Sequence, residues 1–317
     1  MSLKVLQPGL LTTIQDTGRS GVQHMGLSPS GAMDYFSFMV GNQLLENNEF
    51  VSLEMTMQGG TFEFGRGNSF IITGADMQAT LNDKPVNVNT IYHAKMNDQL
   101  KFSAAVDGMR TYLTVRNGFH VESVFDSYST HTKIKLGGKD GRALQAGDEL
   151  PFKDPEKVLE KTIYTPPFDD KKIRFIPGQQ FERFERFKVK TYEISNVSDR
   201  MGIRLEGDAL KADDYDILSE PVQLGSIQVS ASGQPIVLLN DRQTVGGYAK
   251  IGTVYFNDLP KLVQKKPGEI IELVPGTFEE AVEEKRKMMK YIEDINILAY
   301  KGRTSGNKIK QLIKRVK

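Results

Sequence analysis

Apolar residues in this sequence come in short runs, and nearly every run is cut off by glycine, proline, asparagine or aspartate. Phe62-Glu63-Phe64 and Ser69-Phe70-Ile71-Ile72 lead into Thr73-Gly74-Ala75-Asp76. Ala79-Thr80-Leu81 ends at Asn82-Asp83, and Leu100-Lys101-Phe102 precedes Arg110-Thr111-Tyr112-Leu113-Thr114-Val115, which alternates cleanly. Lys172-Ile173-Arg174-Phe175, Ser226-Ile227-Gln228-Val229 and Pro235-Ile236-Val237-Leu238-Leu239 follow in the second half. Side chains on a strand alternate between faces, so closely spaced runs of this kind predict short strands in barrels or sandwiches. Strands do not alternate with long helical patterns, which disfavours a doubly wound sheet.

Three helices are expected. Asp34 to Leu45 places Phe36, Met39, Val40 and Leu44 near helical spacing. A short turn is expected over Glu182 to Phe187. A C-terminal helix begins at Thr277, an N-cap residue followed by Glu279 and Glu280, which favour the positive end of the helix dipole. The reading is therefore a mainly β chain with two β-barrel-type domains and few helices. A proline-flanked charged segment around 151–170 marks the boundary, giving an N-terminal β domain over 1–160 and a C-terminal β-barrel over 161–290. A basic tail over 291–317 closes the chain, with seven Lys or Arg and no acid from Ala299 onward.

The chemistry that can be excluded is considerable. The chain has no cysteine, which removes disulfides, thiolate metal sites and a cysteine nucleophile. Its net charge of +1 creates no general field for nucleic acid or membrane. No run approaches the ~20 apolar residues needed to span a bilayer. No signal peptide pattern is present, and a cytoplasmic protein is expected. The four histidines are scattered, so no metal site is expected. Gly137-Gly138-Lys139-Asp140-Gly141-Arg142 carries glycines and a lysine, but not at the spacing of a P-loop.

Four segments are dense in polar groups and glycine. The first runs from Pro8 through Asp16, Arg19, His24 and Ser30 to Asp34. The second is Ser198 to Gly207, where Arg200 and Arg204 would share one face of a strand and could clamp a carboxylate. The other reading of that pair is structural, with Asp199, Glu206 or Glu220 as partners. The third, Leu218 to Gln228, contains Glu220. The fourth begins at Gly233-Gln234 and continues through Asp241-Arg242-Gln243 to Gly246-Gly247-Tyr248, an apolar strand ending in a polar double-glycine turn. Active-site groups are often placed at such strand ends.

These same segments carry a family resemblance. PGLLTTIQDTGRSGVQHMGLSPSGAMD, SDRMGIRLEG, ILSEPVQLGSIQV and GQPIVLLNDRQTVGGYAKIGTV resemble, in order, the signatures of the KipA-like family, also known as the allophanate hydrolase subunit 2 family. The likeness extends over roughly residues 3–280. Asn97 and Asn117 stand where the family has glycine in turns, and Ser230-Ala231 replaces its Pro-Pro pair. The resemblance implies cyclophilin-like barrels and a KipI-like partner. With a LamB/YcsF-like third subunit it implies an ATP-dependent 5-oxoprolinase, which opens 5-oxo-L-proline to L-glutamate. A second implied function is the carboxyltransferase part of a urea or small-amide carboxylase, taking carboxybiotin from a biotin carrier. A third is a regulatory protein that binds the KipI-like partner without turnover.

On the first function, Asp241, Asp34 or Asp16 is expected as general base and Arg242, Arg200 or Arg204 as the cation for the substrate carboxylate. Gln234, Gln243 and the backbone at Gly246 and Gly247 would donate to a developing oxyanion. Arg19, His24, Ser30, Glu220 and Tyr248 complete the expected substrate-binding set.

Overall fold

The computed structural model describes residues 1–165, 170–184 and 187–301. Pro166 and Pro167 of the proline-flanked segment, residues 185 and 186 of the short turn expected over 182–187, and the basic tail beyond 301 lie outside the described residues. The chain is mainly β, as expected, and divides into two compact units. The first comprises residues 1–18, 34–165 and 290–301; the second comprises 19–33, 170–184 and 187–289.

In the first unit two antiparallel sheets share one core. The larger orders its strands Glu149–Pro151, Ser2–Gln7, Thr61–Phe64, Gln99–Lys101, Thr80–Leu81 and Lys84–Pro85. The smaller orders Leu11–Gln15, Ser52–Thr56, Asp107–Val115, Asn68–Asp76 and Ile91–Ala94. Alternate residues such as Leu3, Val5, Phe62, Phe64, Phe70 and Leu113 fill the core. Asn97 and Asn117 have φ of 68° and 59°, the left-handed region that asparagine tolerates and that makes glycine interchangeable with it there. The helix Tyr35–Leu44 packs against the smaller sheet and is capped by Asp34, whose Oδ1 accepts from the Ser37 N–H at 2.9 Å.

The second unit is a closed seven-stranded barrel. Its order is Lys172–Pro177, Lys250–Val254, Ser226–Val229, Pro235–Leu238, Gly202–Gly207, Lys190–Ile194 and Ile270–Pro275. A parallel pairing of Lys172–Pro177 with Ile270–Pro275 closes the ring. Ile173, Phe175, Tyr192, Leu205, Ile227, Val237 and Ile271 fill its interior. Asp216–Pro221 and Val245–Tyr248 form a separate two-stranded flap. The C-terminal helix, Phe278–Glu293, starts where its cap predicts, with Thr277 Oγ1 accepting from the Glu280 N–H at 3.2 Å.

Several phenols are buried, and this sets an alkaline limit on stability. Burial pushes the Tyr291 hydroxyl, which donates to Tyr164 O, up to about 12. Burial shifts Tyr112 and Tyr192 in the same direction. A phenol whose folded pKa exceeds the unfolded value of about 10 stabilises the fold fully below that pH and loses the contribution as pH rises through the folded value. The unfolding temperature is therefore expected to fall above about pH 10, in step with tyrosinate absorbance. An unfolding temperature that stays level while tyrosinate forms would contradict this.

Candidate active site

The second unit holds a cavity of about 420 Å³ lined by Gln23, Gln179, Gln180, Glu220, Val222, Gln223, Lys250 and Thr253, among others. Amide side chains dominate the wall, and the charges come as a pair: Lys250 Nζ lies 2.5 Å from Glu220 Oε1. Gln223 Nε2 donates to Thr253 Oγ1 at 3.0 Å, and the Lys250 N–H donates to Gln180 Oε1 at 3.3 Å. These residues come from four separated parts of the chain, brought together because the barrel closes.

One residue behind this wall lies Arg242. It is 5% exposed, and its Nε donates to the carbonyl of the wall residue Val222 at 3.4 Å while Nη1 donates to Leu239 O at 3.2 Å. No carboxylate pairs with it among the described residues, and burial alone pushes its guanidinium down. A cation held out of water with only carbonyl partners is costly, and an incoming anion would offset that cost.

Around Arg242 the loop after Pro235–Leu238 is strapped to residues 28–32. Ser28 Oγ donates to Arg242 O at 2.5 Å, Asn240 Nδ2 donates to Ser30 O and Ala32 O at 3.1 and 3.0 Å, and the Ser30 N–H donates to Asn240 O at 3.1 Å. Ser30 sits at φ 57°, and its buried hydroxyl has no hydrogen-bond partner. Gln243 Nε2 donates to Gln228 Oε1 at 3.1 Å, which leaves the buried Gln228 Nε2 without an acceptor. Ser30 and Gln228 thus each carry a buried polar atom with no hydrogen-bond partner, and Arg242 a buried charge with only carbonyl partners among the described residues, a combination that a ligand could satisfy.

Arg200 and Asp241 meet each other. Arg200 Nε and Nη2 lie 2.9 and 3.1 Å from the two oxygens of Asp241, and Nη2 also donates to Gly31 O at 2.8 Å. The two-arginine clamp expected from the sequence does not form. The strand begins only at Gly202, so Arg200 turns inward while Arg204 is exposed on the strand. Asp241, 41 residues away and not among the acid partners expected from the sequence, takes the Arg200 fork.

The remaining expected residues fall into distinct settings. Glu220 lines the cavity, and Gly246 and Gly247 lie on the flap with the exposed Tyr248. The Gln234 side chain is engaged elsewhere, pairing with the backbone N–H and carbonyl of Gly207 at 3.0 and 2.9 Å. His24 stands exposed in a 3-10 turn. Arg19 is buried in the second unit, its N–H donating to Pro29 O at 2.7 Å. Two acids belong to the first unit. Asp16 accepts from the N–H groups of Gly18 and Tyr128 at 2.7 and 2.6 Å and from the Ser127 hydroxyl at 2.9 Å, and Ser129 donates to it as well. That set saturates the carboxylate and describes a loop anchor. Asp34 caps its helix, as described above. Lys250, Gln180 and Gln228 were not picked out from the sequence as binding residues: Gln180 sits in a turn with no motif, and Gln228 and Lys250, although inside the signature segments, fall on regular strands where nothing local marks them.

Gly246 packs closely against Gln228 and the wall residue Val222. A Cβ there would lie 2.4 Å from Gln228 Nε2 and 3.3 Å from Val222 Cγ1. Gly246→Ala is expected to cost about 1–3 kcal/mol by overpacking and to displace the Gln228 amide. Chemical denaturation checks this, and unchanged stability would show that the flap moves aside as a body.

The barrel's strand-end loop thus places a buried arginine, with no carboxylate partner among the described residues, beside an amide-lined cavity. The chain belongs to the family of carboxyltransferase domains, subdomains A and B, whose model matches residues 25–275. It is similar to the 5-oxoprolinase C subunit of Haemophilus influenzae, with 37% identity covering 89% of this chain and 94% of that protein. The corresponding protein of Escherichia coli is 35% identical over 92% of this chain and 97% of the relative. The crystal structure of the K. lactis urea amidolyase superposes with a TM-score of 0.87 at 26% identity, covering 97% of this chain but 20% of that one. The chain thus spans nearly all of the two 5-oxoprolinase relatives and about a fifth of the amidolyase. Among the described residues no helix is long and apolar enough to cross a membrane.

Proposed function

We propose that this chain is the C subunit of an ATP-dependent 5-oxoprolinase, working in a complex with KipI-like and LamB/YcsF-like subunits to open 5-oxo-L-proline to L-glutamate. The observation that carries the reading is Arg242, a buried guanidinium that no carboxylate pairs with among the described residues. The choice of reaction draws on the names of relatives that match along nearly their whole length.

On this reading the substrate carboxylate pairs with Arg242, and the Ser30 hydroxyl and Gln228 amide take up lactam polar atoms. The paired Lys250 and Glu220 have opposite tasks. The Lys250 ammonium polarises the lactam oxygen, and the Glu220 carboxylate accepts a proton from the attacking water. The water oxygen bonds to the carbonyl carbon, the C–N bond breaks, and the ring nitrogen leaves with the proton. ATP hydrolysis would supply the driving force for opening a stable amide. Asp241 acts on this reading as a positioning residue: it holds Arg200 and, through the loop, Arg242.

Co-expression of this chain with the two partner subunits, followed by assay of glutamate formed from 5-oxoproline, tests the proposal. Glutamate that requires both ATP and this chain supports it. A stable complex without glutamate sinks it. A second reading, a carboxyltransferase component acting on urea or another small amide, is favoured by the likeness to urea amidolyase over nearly the whole chain. In that case the same site would hold the acceptor while carboxybiotin on a carrier partner supplied the carboxyl group. Carboxybiotin-dependent transfer by the complex would separate the two readings.

A further inference from the structure

The flap of the second unit carries three exposed large apolar side chains: Leu218 at 93%, Val245 at 53% and Tyr248 at 42%. Pro221, directly opposite Val245, is exposed as well. Lone exposed apolar residues are ordinary, but several on one two-stranded element form a patch, and patches mark interaction sites.

The register of the flap explains the exposure of Leu218. Asp216 lies opposite Tyr248 and Glu220 opposite Gly246, so four steps along one strand (216 to 220) match two along the other (248 to 246). The surplus residues bulge between them. A bulge re-aims side chains, and here Ile217 packs on the barrel core while Leu218 turns into solvent. The flap has no further strand on either edge among the described residues, an arrangement that is marginal alone. It is tied to the barrel by the Glu220–Lys250 pair, by the Val222 N–H donating to Thr244 O at 3.1 Å, and by the Ala249 N–H donating to Tyr215 O at 2.8 Å.

The approach to the bulge is acidic. Asp213, Asp214 and Asp216 are exposed and form no ion pair among the described residues. Arg183 reaches this stretch, but it donates to the Asp216 carbonyl at 3.4 Å and not to a carboxylate. The charges decide what kind of surface fits. A second copy joined by a two-fold axis would set the same patch against itself, aspartates facing aspartates. Like charges so placed oppose association, whereas a basic surface meets them favourably.

We propose that the flap docks a partner protein that presents an apolar pocket rimmed by lysine or arginine. Leu218 anchors in the pocket, Val245 and Tyr248 cover its margin, and Asp213, Asp214 and Asp216 face the rim. The catalytic consequence rests on the lactam reading; the docking does not. Glu220 stands two residues beyond Leu218 on the same strand, so a partner that fixes the bulge also fixes the Glu220–Lys250 pair at the cavity.

The test titrates the full chain with the purified KipI-like subunit and, separately, with the LamB/YcsF-like subunit. Leu218→Asp is expected to weaken binding of one of them at least about tenfold, with the unfolding temperature of the isolated chain unchanged. The double variant Asp213→Lys/Asp216→Lys is expected to weaken the same interaction and to flatten its dependence on salt. Absence of binding to both subunits, or equal binding by either variant, overturns the proposal. Dimerisation of the isolated chain that Leu218→Asp abolishes overturns it in favour of a second copy. The two readings fail separately in the assembled complex. Association through Leu218 without glutamate sinks the lactam reading alone, and glutamate made by a complex that Leu218→Asp does not weaken sinks the docking alone.

Discussion

Arg242→Met is expected to abolish most activity in the assembled complex while leaving the fold intact. Removing one partner of a desolvated charge pair costs about 2–5 kcal/mol of binding, which is roughly 30- to 5,000-fold in kcat/KM. The fold loses little, because the guanidinium has no acid partner among the described residues and its two hydrogen bonds go to carbonyls at 3.4 and 3.2 Å. Relief of a buried unpaired charge offsets those lost bonds, so stability should change by no more than about 1 kcal/mol. Steady-state kinetics and urea denaturation on the same preparation check both halves. Substantial loss of stability would make Arg242 a scaffold residue and remove the support it gives to the lactam reading.

Asp241→Asn is expected to do the reverse. Asp241 is 4% exposed and takes both hydrogen bonds of the Arg200 fork. Removing its charge takes from a buried guanidinium the carboxylate that both Nε and Nη2 donate to, at a cost of about 3–5 kcal/mol. The denaturation midpoint of the isolated chain should fall accordingly. Arg200→Met with Asp241→Asn should recover part of the loss, since the two effects share one interaction. If Asp241→Asn keeps full stability and loses activity, Asp241 is the general base after all and the positioning role is withdrawn.

The two variants mark where sequence reading succeeds and where it stops. Strands with clean alternation, such as Arg110 to Val115 and Ser226 to Val229, fold where their pattern places them because one face of each must be buried. The Thr277 cap is equally local and equally legible. The Arg200–Asp241 pair is not local. Both residues stand out in the sequence, but their pairing depends on strand Gly202–Gly207 lying beside Pro235–Leu238 in the barrel. Type and spacing make each a candidate for chemistry; only register shows that they neutralise each other. The amide-lined cavity is harder still, since Gln23, Gln180, Glu220 and Lys250 come together only when the ring of strands closes. Arg242 differs in kind. Its significance is that no carboxylate pairs with it among the described residues, and a sequence so rich in acids gives no sign of that.

The strap between residues 28–32 and the loop at 240–242 has a bearing on how the protein is made. Its hydrogen bonds join residues 208 to 214 positions apart. During synthesis Ser28 to Ala32 must wait for these partners while the ribosome adds at least 208 further residues. Contacts of such separation form late and slow the approach to the native state. The second unit is therefore unlike a domain that can finish folding as it emerges. Cut out as one continuous fragment starting after the linker, it would lack the Ser30 and Ala32 carbonyls that hold Asn240 and the Gly31 carbonyl that helps to hold Arg200. A fragment intended to retain the site has to carry residues 19–33 as well, joined through a designed link or supplied as a separate peptide.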